Sequence, residues 1–111
     1  MDTDNSYLQF LNAITYHLMA KKGDSSKYAL AEQGYDLAIK FDPSNWLARY
    51  QLGLLKLDNR KYTEAQQVLS EALLYNDRDG DLLYSTVVAS YFSKDLVTAN
   101  GVLSKLMELE G

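Results

Sequence analysis

The sequence predicts an all-α chain of three stacked, antiparallel helix pairs, and three observations carry that expectation. Ala31, Ala65 and Ala99 stand at a constant interval of 34 residues, and so do Tyr16, Tyr50 and Tyr84. The same interval pairs Leu18 with Leu52, Tyr28 with Tyr62 and Ala38 with Ala72, and aligns Tyr35 with Leu69 and Leu103. A strict period of this length marks an array in which each unit buries its apolar face on its neighbours. Apolar residues make up 47% of the chain, enough for a continuous core and too many for disorder. One proline and six glycines in 111 residues leave room for long helices.

Caps and periodicity place six helices in order. Ser6 with Gln9 forms a capping box that opens the first, whose apolar residues include Leu8, Leu11, Ile14 and Leu18. Lys21 and Lys22 suit its C-terminal end, and Gly23 stops it. Asp24-Ser25-Ser26 caps the second, which runs through Tyr28, Ala31, Tyr35, Ala38 and Ile39. Asp42-Pro43-Ser44-Asn45 breaks the chain between repeats, since proline lacks a backbone donor and restricts the residue before it. The third helix spans about 46–57, and Asp58-Asn59-Arg60 turns into a fourth near Thr63. The segment 76–80 closes the middle repeat, a fifth helix covers about 81–92 and a sixth about 96–108. Short connections make neighbouring helices antiparallel.

The middle copy, residues 46–79, reads WLARYQLGLLKLDNRKYTEAQQVLSEALLYNDRD. Leu52-Gly53, Tyr62, Ala65, Leu69 and Ala72-Leu73 give it a pattern that resembles the tetratricopeptide repeat (TPR), with no insertion or deletion. Upstream, residues 12–45 keep Leu18, Tyr28, Ala31, Tyr35, Ala38-Ile39 and Asp42-Pro43, but place Met19 where the family prefers a small residue. Downstream, residues 80–111 keep Ala99, Leu103 and Leu106, with Thr86-Val87 for Leu-Gly and Leu96 for Tyr. The resemblance implies a single domain over 1–111 with repeats at about 12–45, 46–79 and 80–111, the first helix extending back to about residue 6. It further implies a right-handed superhelical array with Gly53, Ala65, Ala72 and Ala99 at close helix crossings.

By the same resemblance the first helix of each repeat lines a concave groove. Its expected residues include Tyr16, His17 and Ala20, then Leu47, Tyr50, Gln51, Leu54 and Asp58, then Asp81, Tyr84, Ser85, Val88 and Phe92. Tyrosine offers a broad apolar face and one hydroxyl, which suits peptide contact. Family members that grip the C-terminal carboxylate of heat-shock chaperones do so with cations. Here Tyr16, Ala20, Gln51, Asp81 and Ser85 occupy the matching places without one. An uncompensated carboxylate is costly to desolvate, so the groove suits an extended segment or amphipathic helix with hydrophobic anchors. Class II chaperones of type III secretion offer an analogy, although they carry further N-terminal helical sequence.

The last helix is the second surface. Val102, Leu106, Met107 and Leu109, with Leu103, leave it apolar on more than one side. Exposed apolar patches mark contact sites, so a longer parent array, self-association or a curled arrangement that covers the end are the alternatives. The functional expectation is a non-catalytic scaffold or adaptor whose tyrosine-lined groove binds a peptide or helix of a protein partner. The alternative is a structural segment, or a homodimerising module that contacts through its C-terminal helix.

Other classes find little support. Net charge is −4 without a basic stripe, which removes the phosphate electrostatics of nucleic-acid binding. Cysteine is absent, so disulfides, thiolate catalysis and cysteine metal sites are excluded. His17 is the only histidine and reads as a polar lining residue, not part of a multi-histidine metal site. Asp77, Asp79 and Asp81 around Gly80 lack the closing glutamate of a calcium loop, since Val88 stands there, and read as a turn and helix cap. Lys21, Lys22 and Lys27 lie beside Asp24 and read as a solvated turn. No motif organises a nucleophile, a base and a stabiliser, so neither catalysis nor a cofactor is expected. No apolar run reaches membrane-spanning length. The acidic start MDTDNSYLQF lacks a signal core, which favours the cytoplasm if the chain is full length.

Overall fold

The computed structural model describes residues 2–111, folded into α1 (Thr3–Lys21), α2 (Lys27–Phe41), α3 (Trp46–Asp58), α4 (Tyr62–Leu73), α5 (Gly80–Phe92) and α6 (Leu96–Glu110). Each helix packs against the next, and α3 also neighbours both α1 and α5. The product is three hairpins in a row, with every first helix on one side.

The helix starts follow from side-chain caps. Asp2, Asn45, Asp79 and Asp95 each accept a bond from the backbone N–H three residues on, satisfying a donor with no partner inside the helix. The first helix thus begins earlier than the Ser6–Gln9 pattern suggests. Ser6 is buried within α1, where its Oγ donates to the Ala38 carbonyl at 2.6 Å and accepts from Asn45 Nδ2 at 2.9 Å. Ser26 precedes α2 without capping it, and its hydroxyl donates instead to Asp24 Oδ1. Around Gly80, Asp79 caps α5 and Asp77 pairs with Lys105 at 2.7 Å, as a turn and cap would.

One difference between the hairpins matters for the groove. The α3–α4 and α5–α6 turns each have three residues, 59–61 and 93–95, with Arg60 and Lys94 at equivalent left-handed positions, φ 59° and 67°. The α1–α2 turn has five, residues 22–26, and leaves the helix through Gly23 at φ 129°. The 34-residue interval therefore holds along α2, α4 and α6 but slips by two residues on α1. Two residues turn a helix by about 200°, so the slip changes which face each α1 side chain occupies. Hence Leu8, Leu11 and Leu18 are exposed, while Ser6, Phe10, Ala13, His17 and Ala20 form the buried face.

Close crossings set the hairpin packing. A methyl on Gly53 would lie 2.4 Å from Cδ2 of Leu69, which has no exposed surface. One on Gly34 would meet the Ala13 Cβ at 2.8 Å. Two buried clusters result, one joining α1, α2 and α3, the other joining α4 and α5 beneath Trp46 and Tyr50. Lys56 is buried between the hairpins, with Nζ 2.7 Å from Glu32 and 3.0 Å from Glu64. Burial alone would lower its pKa, but the two carboxylates outweigh this and raise it.

Candidate peptide-binding groove

Between α1 and α3 the first helices leave a small cavity of about 70 Å³, lined by Ile14, His17, Leu18, Lys21, Gln51 and Leu54. Three of the residues expected from sequence meet there: His17, Gln51 and Leu54. Ile14, Leu18 and Lys21 join them because of the two-residue slip. The sequence pattern reads Leu18 as an apolar residue in register with Leu52 and Lys21 as part of a solvated turn, and the longer 22–26 turn is the signal that relocates them.

His17 forms the cavity floor. It stands opposite Tyr35 much as Gly53 stands opposite Leu69, but with an imidazole in place of empty space. Its Nδ1 lies 2.9 Å from the Tyr35 hydroxyl and its Nε2 3.0 Å from Asp58 Oδ2. It is 5% exposed, so it supports the lining and offers no free nitrogen. Burial first, and the Asp58 charge second, hold the Tyr35 phenol well above the ordinary tyrosine range. A His–Asp pair that holds a buried, protonated tyrosine has no accessible nucleophile to activate.

The tyrosines do not form one column. Tyr50 is half-buried over the second cluster, with Ser85 close to its hydroxyl. Burial raises its phenol, the neighbouring Ser85 opposes this, and Asp81 and Asp79 add to it. Tyr84 projects into solvent at 62% exposure. Tyr16 packs on the core of the first hairpin, and Ile14 takes the place in line with Tyr50 once the slip is counted. Val88 lies on the far side of α5, in a wider trough between α5 and α6.

The terminal surface also differs from expectation. Leu106 is buried, with its Cδ1 beside Gly80, because α6 turns that face onto the start of α5. Met107 and Leu109 are exposed and Val102 is half-buried. Among the described residues no cluster of metal-ligating side chains occurs, and no helix is long and apolar enough to cross a membrane.

No family model matches the chain, and no curated protein matches it in sequence. Solved structures do. The second TPR domain of Spaghetti (RPAP3), bound to the HSP90 peptide SRMEEVD, superposes with a TM-score of 0.82 at 20% identity, covering 96% of this chain and 94% of that one. The first TPR domain of the same protein, with the same peptide, gives 0.84 at 17% identity, over 99% and 82% of the two chains. The second TPR domain of human RPAP3, in complex with the HSP70 peptide SGPTIEEVD, gives 0.78 at 22% identity, over 95% and 86%. The chain has the TPR fold, an all-α helical repeat.

Proposed function

We propose that this chain is a non-catalytic adaptor that captures a peptide or short helix of another protein on the side formed by α1, α3 and α5. The observation that carries this reading is the α1–α3 cavity, where apolar Ile14, Leu18 and Leu54 lie over the His17 ring and Gln51 and Lys21 supply the polar groups. An apolar anchor with a few fixed polar contacts is the usual composition of a peptide site. The similar TPR domains hold chaperone peptides, which supports a peptide as the class of ligand. Their carboxylate-ending peptides are a poorer match here. Lys21 is the one cation on the cavity, and none of Tyr16, Ala20, Gln51, Asp81 and Ser85, the places expected for a clamp, supplies another. The ligand is therefore an internal segment with a small aliphatic anchor.

Peptide display against the purified chain tests this. Selected sequences are expected to share a spaced aliphatic anchor and to bind equally with a free or an amidated C-terminus. Selection of ligands that need a free terminal carboxylate would replace this reading with a carboxylate clamp.

A further inference from the structure

α1 carries two seams, and its packing within the chain uses one. The buried seam is Phe10, Ala13, His17 and Ala20, pressed on the rest of the fold. The other is Tyr7, Leu11, Ile14 and Leu18, at steps of four, three and four residues. That spacing averages about 3.5 residues, the repeat that keeps one helix face against a partner helix. Tyr7 is 59% exposed and Leu18 57%, Leu11 is exposed between them, and Ile14 is half-buried. The fold therefore leaves the second seam open.

The open seam ends in opposite charges. Asp4 continues it three residues before Tyr7, and Lys21 three residues after Leu18. Both are exposed, and among the described residues neither side chain has an ion pair. From Asp4 to Lys21 the seam is about 26 Å long at the helical rise per residue. A two-fold axis between residues 12 and 13 would set a second α1 antiparallel to the first. Asp4 then faces Lys21 of the second copy, Tyr7 faces its Leu18, and Leu11 faces its Ile14. Each contact occurs twice, so the seam is complementary to itself, as an isologous interface requires. A parallel pair would instead oppose Asp4 to Asp4 and Lys21 to Lys21.

We infer that the chain forms an antiparallel dimer through α1, with a second copy's α1 laid along Tyr7, Leu11, Ile14 and Leu18. The occupant is a second copy because the seam supplies its own complement, in apolar pairs and in end charges alike. Ile14, Leu18 and Lys21 also line the α1–α3 cavity, so a groove peptide and the partner helix compete. The dimer does not rest on the groove reading, since Tyr7 and Leu11 lie outside that cavity.

Sedimentation velocity over about 1–500 μM tests this, a range suited to one helix pair at the small end of specific interfaces. The mass is expected to rise from one chain to two and no further, because a two-fold contact closes. Leu11→Glu should weaken the dimer about a hundredfold, since the charge enters at two symmetric places. Asp4→Lys should weaken it about threefold or more by setting like charges together at both ends. Adding Lys21→Asp to that variant should restore it. Circular dichroism checks that Leu11→Glu, at an exposed site, keeps the fold. Peptide binding by the same variant reads the groove separately, because Leu11 lies off the cavity. A chain that stays monomeric at about 500 μM overturns the inference. So does a dimer indifferent to Leu11→Glu, or one that Leu103→Glu dissociates, which would place the contact on α6. Open-ended oligomers would overturn it too, since they require two different faces. Loss without rescue in the double charge variant would overturn the antiparallel pairing.

Discussion

The Tyr35 hydroxyl lies 2.9 Å from Nδ1 of His17, in a place where the second hairpin has only the bare Cα of Gly53 against Leu69. The Asp58 carboxylate oxygen accepts, which places the proton of a neutral His17 ring on Nε2 and leaves Nδ1 to accept from the O–H of the buried Tyr35. One imidazole thereby ties α1 to both α2 and α3 beneath the cavity. Tyr35→Phe keeps the ring against Phe10 but leaves Nδ1 unpaired. The expected cost is about 1–3 kcal/mol in urea unfolding, the range for a buried polar atom left without its partner. Unchanged stability would show that the hydroxyl bond contributes nothing.

Much of this architecture is legible in the sequence, and the residues that are not share one cause. Ala31, Ala65 and Ala99 report the period because no residue is inserted between α2, α4 and α6. Tyr16 obeys the same arithmetic and misleads, since the five-residue turn before α2 shifts α1 by two positions. Met19, out of pattern for a crossing residue, was the visible symptom, and its 41% exposure is the consequence. Ser6 looked like a cap because a serine three residues before a glutamine is a common helix start. Its hydroxyl instead serves a carbonyl 32 positions away, a contact no local pattern encodes. Leu106 looked exposed for a similar reason, as its partner surface at Gly80 is distant in sequence.

The glycines separate close packing from backbone cost. Gly53→Ala would drive a methyl to 2.4 Å from Leu69, which is fully buried and cannot swing away. A loss of about 1–3 kcal/mol is expected from overpacking. Gly101 on α6 faces open space, with nothing within 4 Å of an added Cβ. Gly101→Ala should stabilise the chain by about 0.5–1 kcal/mol through helix propensity alone. Thermal melts of the two variants should move in opposite directions, and a shared direction would contradict the packing described.

Acid should loosen the third hairpin through Asp95. Its carboxylate accepts from the Thr98 hydroxyl at 2.7 Å, from Thr98 N–H at 3.1 Å and from Gln66 at 2.8 Å. Those bonds, led by the Thr98 hydroxyl, hold its pKa below the usual carboxylate value. Because the folded value is the lower one, the contribution is complete above the unfolded range near pH 4 and is lost as pH falls through the folded value. Asp77, held low by Lys105, acts in the same sense. The melting temperature should be level from neutral pH to about 5 and fall below about 4. Asp95→Asn still caps α6 and should shrink that fall. An equal fall in the variant would mean that Asp95 is not among the groups that set it.

The most direct test of the account is calorimetric titration of a display-selected peptide into the wild-type chain and into Leu54→Glu. Leu54 is only half-buried on the cavity wall, so the variant should melt within a few degrees of wild type. A charge in the anchor site should weaken binding about tenfold or more. Undiminished affinity in a folded Leu54→Glu chain would place the ligand elsewhere and contradict the groove as the functional surface.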